Sequence, residues 1–239
     1  MRSQRNAVRI IPEHALRGDI LDRNGEVLVQ DRLALNVSVT AQGLAKSEDI
    51  FKELAKVFGL NEEKLKLKFR QNINAPFALV TVLQDVDKTK ALLIAERSDR
   101  FPGVLIGSEP IRQYIYGTSL AHVLGYLGMP QQFWTEYGEY GFSAETYVGV
   151  SGIEKYVDRF LRGSNGGKLI EVDNRGRQIN TLGLRIPTKG ADITLTIDIR
   201  VQKILDELLG SKKGAAILMN PFNGEIIAMA SSPSFDPEI

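Results

Sequence analysis

The chain has 239 residues, above the usual single-domain size of about 100 to 200 and at the low end for two, so length admits either count. With 43% apolar and 25% charged residues it is composed like soluble globular proteins, which excludes the disordered, collagen-like and disulfide-scaffold classes. Thirty Lys and Arg against 29 Asp and Glu leave +1, too near neutral for a general attraction to nucleic acid or anionic membrane. Cysteine is absent, which removes disulfides, thiol catalysis and Cys-ligated zinc, and the two histidines, His14 and His122, are too few for a His-rich metal site. The longest apolar runs, such as Ala215 to Met219 and Ile226 to Ala230, are far shorter than the roughly 20 residues that span a bilayer.

Residues 2–17 carry four arginines against Glu13 without clear periodicity, and a solvated lead-in is the plain reading. Asn24-Gly25 between the apolar runs Ile20-Leu21 and Val27-Leu28-Val29 predicts a hairpin with a type I′ turn. From Ser47, a candidate cap, Ile50, Phe51, Leu54, Val57 and Phe58 recur at helical spacing until Gly59. Asn61 can cap a lysine-rich second helix to about Gln71, with Leu65 and Phe69 one turn apart. Phe77 to Leu83 reads as a buried strand, and Asp87 opens a third helix through Ala91 and Ile94 that stops before Phe101-Pro102-Gly103.

The aromatic, glycine-rich stretch from Gln131 to Tyr147 reads as a structured loop. Ser151 and Glu154 have capping-box spacing, and Ile153, Tyr156, Val157, Phe160 and Leu161 predict one amphipathic helix closed by Gly163. A second hairpin is expected from Leu169 to Ile179 around Asn174-Arg175-Gly176. After Gly190, Ile193, Leu195 and Ile197 alternate as a half-buried strand would, Asp198 caps a helix ending near Gly210, and two strands follow around Pro221-Phe222-Asn223-Gly224. So few strands stand alone only marginally, so residues 191–239 are expected to be the cut start of a further domain.

A search for catalytic chemistry returns little. No serine has a lysine three residues on, as a penicillin-sensitive serine nucleophile needs. Gly149-Val150-Ser151-Gly152 falls short of a nucleophile elbow, and Ser164 to Lys168 lacks the strand and helix that flank a phosphate loop. The carboxylate pairs Asp19 with Asp22, and Glu171 with Asp173, flank predicted turns, where charge is ordinary. His122 has no evident catalytic partner and reads as a core-edge residue bonded to backbone. The aromatics from Trp134 to Tyr147 have no basic stripe beside them, so base stacking on nucleic acid is not expected. The residues alone thus describe a non-catalytic, protein-contacting module, without cofactor or metal, with part of another domain attached.

Several segments together resemble the class B penicillin-binding proteins, and most of all their elongation-type branch, penicillin-binding protein 2. Arg17-Gly18-Asp19-Ile20-Leu21-Asp22-Arg23-Asn24-Gly25 resembles the first non-catalytic motif, Arg-Gly-x-Ile-x-Asp-Arg-Asn-Gly. Tyr114 to Tyr126 resembles the middle motif, with Gly117, His122, Gly125 and Tyr126 in place and Ile115 where the family has proline. Gly149-Val150-Ser151-Gly152-Ile153-Glu154 is similar to the third, and Ala215 to Pro237 to the opening hairpin of the transpeptidase domain.

The resemblance implies an α+β fold: an elongated β-rich pedestal over residues 1–40 and 104–190, an inserted α/β head or anchor subdomain over 41–103, and the first β-α-β-β of a transpeptidase domain over 191–239. It also implies a parent anchored on the outer face of the cytoplasmic membrane that cross-links peptidoglycan as a serine D,D-transpeptidase, its Ser-x-x-Lys lying after residue 239. This chain would then be inactive by itself, and Arg17, Asp19 and Asp22 would serve as pedestal ion pairs and caps. The implied partners are a rod-shape scaffold protein of the MreC kind and a SEDS-type glycan polymerase. A stand-alone envelope scaffold, or the same region of a septal penicillin-binding protein, are the alternatives.

Overall fold

The computed structural model describes residues 7–40, 49–72, 79–97, 99–128, 147–172 and 178–238. The fold is α+β, and the chain forms two compact units, one of Met1–Arg32 with Arg112–Ile239 and one of Leu33–Ile111. The second unit is longer at each end than the inserted segment expected over 41–103. The unit boundaries fall inside two long strands, β3 (Val27–Thr40) and β5 (Val104–Tyr114). Residues 191–239 group with the first unit.

The first unit begins with a correction. Within the basic lead-in, Ala7–Glu13 form a strand, β1, antiparallel to β8 (Gly166–Val172) from Ala7 opposite Val172 to Glu13 opposite Gly166. β8 pairs in turn with β9 (Gln178–Arg185), which is the expected second hairpin; its turn lies outside the described residues. β2 (Ile20–Leu21) pairs antiparallel with the start of β3, Ile20 opposite Val29. The turn between them is not type I′. Gly25 N–H bonds Asp22 O at 3.1 Å, Asp22 N–H bonds Glu26 O at 2.8 Å, and only Gly25 takes a positive φ, of 85°. The connection is a tight turn followed by a glycine bulge.

On its other side β2 pairs in parallel with β10 (Ile193–Thr194), a strand shorter than the alternation predicted, although Leu195 N–H still bonds Leu21 O at 2.9 Å. Short helices α4 (Ala121–Leu124), α5 (Gly152–Tyr156) and α6 (Asp158–Leu161) surround the hairpin, with β6 (Leu127–Gly128) and β7 (Val148–Gly149) paired beside them. Helix α7 (Ile199–Leu209) then packs on the hairpin of β11 (Gly214–Met219) and β12 (Ile226–Ser232). Its buried Gln202 bonds both the N–H and the C=O of Met229, at 2.8 and 3.0 Å, and so pairs with β12 as a further strand residue would. One core joins these pieces: Ile20, Leu28 and Val29 from the first hairpin, Leu120 and Leu124 from α4, Leu161 from α6, and Ile197 and Ile199 at α7.

In the second unit α1 (Ile50–Phe58) buries Ile50, Phe51 and Leu54 and ends at Gly59 with φ of 70°; Ser47 lies outside the described residues. Asn61 Oδ1 caps α2 (Glu62–Asn72) through Glu63 N–H at 2.8 Å, and Asp87 caps α3 (Lys88–Glu96) through Lys90 N–H at 3.1 Å. The rings of Phe51 and Phe69 meet at 5.5 Å over Val37, Val39 and the central residues of β4 (Leu79–Leu83). Among the described residues no helix is long and apolar enough to cross a membrane.

Candidate functional site

The most concentrated chemistry in the first unit is a buried ion cluster, and its members are far apart in sequence. Arg17 follows β1, Asp31 lies in β3, Arg112 in β5, and Glu154 in α5. Arg17 Nη2 donates to Glu154 Oε2 at 2.7 Å and to Asp158 Oδ1 at 2.9 Å. Arg112 Nε donates to Glu154 Oε1 at 2.7 Å and its Nη1 to Asp31 Oδ1 at 3.0 Å. Asp31 Oδ2 accepts the backbone N–H of Arg17 at 2.7 Å, Asp158 Oδ1 also accepts Gly149 N–H at 3.0 Å, and Asp158 Oδ2 accepts from Arg162. Three carboxylates therefore face three guanidinium groups, and every carboxylate oxygen accepts a hydrogen bond. The Glu154 side chain is 0% exposed, so each of these bonds acts where water screens little.

The electrostatics follow from that packing. For Asp158, burial alone would raise the carboxyl pKa, but Gly149 N–H, Arg17 and Arg162 outweigh it and hold it below the ordinary carboxylate range. Burial likewise works against the Arg112 charge, yet Glu154 and Asp31 push its pKa up. Tyr114 at the end of β5 is raised by burial first and by Glu154 second.

Here two expectations are corrected. Ser151 makes no side-chain capping bond, and Glu154 turns inward to the arginines, so neither half of the capping box forms. The helix predicted through Leu161 is broken at Val157 into α5 and α6, and of its apolar stripe Leu161 is buried while Tyr156 and Phe160 are exposed.

A second node sits at the first turn. Asp22 Oδ1 accepts the N–H groups of Asn24 and Glu26 at 2.7 and 2.9 Å, which fixes the turn. Its Oδ2 accepts Ile199 N–H at 3.2 Å, in the first turn of α7. Arg23 N–H bonds Ile197 O at 2.9 Å, Asn24 Nδ2 reaches Asp198 Oδ2 at 3.2 Å, and exposed Arg23 approaches Glu225 at 3.3 Å. Burial would raise the Asp22 pKa, but the Glu26, Ile199 and Asn24 backbone donors lower it overall. Asp198, capping α7 through Arg200 N–H, is held low by the Arg200 side chain.

The remaining motif residues make close approaches or turns. A Cβ on Gly18 would lie 1.8 Å from Ala191 O, and one on Gly152 would lie 2.5 Å from Val123 O at a φ of 57°. Gly149 is equally crowded against Glu154 O at 2.1 Å, whereas Gly25 and Gly117 have open space and positive φ. His122 is not bonded to backbone: it is exposed, its Nδ1 pairs with Ser231 Oγ at 2.8 Å, and its ring meets Phe235 edge-on at 5.0 Å. Asp19 is bonded by Lys189 at 2.8 Å and Glu171 by Asn180 at 3.0 Å, while Asp173 lies outside the described residues. Sequence patterning does not mark Asp31, Arg112, Asp158 or Gln202. The only signal for them is indirect: Asp158 stands four residues from both Glu154 and Arg162, at helical spacing.

Residues 12–195 match the penicillin-binding protein dimerisation domain. The chain belongs to that family. Among curated relatives, the peptidoglycan D,D-transpeptidase MrdA of Salmonella typhimurium is 33% identical over 99% of this chain and 39% of its own length. MrdA of Escherichia coli K12 is 30% identical over 100% of this chain and 38% of its own length. Stage V sporulation protein D of Bacillus subtilis, from a related branch, is 30% identical over 96% and 34%. A solved complex between penicillin-binding protein 2 and MreC from Helicobacter pylori matches with a TM-score of 0.77 at 27% identity, covering 98% of this chain and 44% of that one. The chain thus spans well under half the length of the relatives it matches. The ion cluster lies wholly inside the family segment, whereas α7 begins just beyond it, so the bond from Asp22 to Ile199 ties the family domain to the helix on its C-terminal side.

Because the folded Asp22 pKa is lowered, its stabilisation is present above the unfolded value of about 3.9 and is lost as pH falls through the folded value. Asp22→Asn is therefore expected to lower unfolding free energy by about 1–3 kcal/mol at pH 7, with the deficit shrinking toward pH 2. Urea titrations at both pH values check this; an equal deficit at both would contradict it.

Proposed function

We propose that this chain is the non-catalytic pedestal of a penicillin-binding protein 2-like peptidoglycan D,D-transpeptidase, setting the position of the catalytic domain that begins near residue 191. The observation that carries the reading is the Asp22 carboxylate, which closes the motif turn and in the same place bonds the start of α7. The geometry serves positioning: every carboxylate oxygen of the ion cluster already accepts a hydrogen bond, and no Ser-x-x-Lys occurs in the sequence. The parent would be anchored on the outer face of the cytoplasmic membrane and act in cell-wall elongation. Incubating the chain with a fluorescent penicillin should give no covalent label, and acylation of any serine would overturn the reading.

The partners belong to the same proposal. The similarity to a chain solved in complex with MreC supports a rod-shape scaffold protein of that kind, and a SEDS-type glycan polymerase is the second partner of the reading. The second unit exposes Leu60, Leu67, Leu79, Leu92 and Leu105, apolar surface suited to such contact. Replacing Leu60 and Leu67 together by Asp should weaken binding of an MreC-like ectodomain at least about tenfold, roughly what loss of a buried leucine contact gives. Unchanged affinity with an unchanged circular dichroism spectrum would remove that surface from the account.

A further inference from the structure

A cavity of about 290 Å³ opens in the first unit between the turn leading into α4 and the surface of α7 and β12. It lies apart from the ion cluster, and nothing in the proposed function uses it. Its walls are rich in hydroxyls, from Tyr116, Thr118, Ser119, Ser231, Ser232 and Ser234. The protons of four are committed: Tyr116 OH donates to Glu26 Oε1 at 3.0 Å, Ser119 Oγ to Asp206 Oδ2 at 2.5 Å, Ser232 Oγ to Gly210 O at 3.3 Å, and Ser234 Oγ to Thr118 O at 2.7 Å. A hydroxyl oxygen has two lone pairs, so each of these retains acceptor capacity after donating. The lining is therefore weighted toward acceptors and matches a ligand that brings several donors.

Charge narrows the class further. Asp206 disfavours an anion, and both of its oxygens already have donors, Ser119 and Gln202. Lys203 stands 4.4 Å from the ring of Tyr116, which places a positive charge beside the wall and disfavours a cation. Apart from the His122 imidazole, whose Nδ1 is already paired with Ser231 Oγ, the rest of the lining is mainly aliphatic, with Leu120, Ala121, Val123, Leu209, Met229 and Ala230. A neutral ring with hydroxyl edges and a C–H face meets all of these conditions, and the volume, at the small end of ligand clefts of about 300 Å³ and above, suits one such ring.

We infer that this cavity is a binding site for a single neutral saccharide unit. Bound there, the sugar bridges the middle-motif segment from Thr118 to Val123 to α7 and β12, adding to the bonds His122 to Ser231 and Ser119 to Asp206 that already cross the same seam. Titrating the whole 239-residue chain, labelled with nitrogen-15, with N-acetylglucosamine tests it. The expected result is saturable shifts confined to amides of residues 118–123, 206–210 and 229–234, with a dissociation constant of about 1 mM, ordinary for so small a ligand. Glucuronate should bind at least about tenfold more weakly. Ser119→Ala with Ser234→Ala should weaken the neutral sugar about fivefold or more, while the amide spectrum elsewhere reports an intact fold. Absence of saturable shifts, equal binding of glucuronate, or unchanged affinity in the folded double variant would overturn the site. None of these results bears on penicillin labelling, so the pedestal reading stands or falls separately.

Discussion

Glu154 receives Arg17 on one carboxylate oxygen and Arg112 on the other, with no exposure to solvent, and the arrangement of the first unit depends on that pairing. The three residues come from the segment after β1, from β5 and from α5, so the carboxylate sets where three remote parts of the chain meet. Asp31 and Asp158 extend the same lattice, and with Arg162 on Asp158 the local charge balances. A buried ion pair is poor evidence of net stability, since an apolar replacement of equal volume is often as stable. Its consequence is selective. A wrong register would leave a buried charge unpaired, at about 3–5 kcal/mol.

Backbone contact does the complementary work. Gly18 lies against Ala191 and Gly152 against Val123, close enough that any side chain would collide with a carbonyl. These approaches let the hairpin, α4 and α5 come together around one core, and the Asp22 carboxylate then carries that fixed geometry to the first turn of α7. The pedestal reading rests on this continuity between the family domain and the helix on its C-terminal side.

Local patterning made much of the fold legible. The caps at Asn61, Asp87 and Asp198 hold α2, α3 and α7 where the spacing placed them, and all three sequence-predicted hairpins in the first unit pair antiparallel. Two expectations failed. Ser151 with Glu154 has the spacing of a capping box, but a carboxylate claimed by two buried arginines cannot also serve the helix end, and Ile153 to Leu161 has the period of one helix, yet the chain breaks at Val157. Residues 7–13 carry no signal of their own as a strand because their partner lies some 160 residues later, at Gly166–Val172. Asp31 and Arg112 are ordinary charged residues in long strands; only the fold brings them to Glu154.

The central claim is that Glu154 and Arg17 are coupled and not merely adjacent. A double-mutant cycle of Glu154→Gln and Arg17→Met, measured by urea unfolding, tests it most directly. Each single change removes one partner of a buried charge and should cost about 3 kcal/mol or more, and the two together should cost less than their sum by about 1–3 kcal/mol. Effects that add to within about 0.5 kcal/mol would contradict the account.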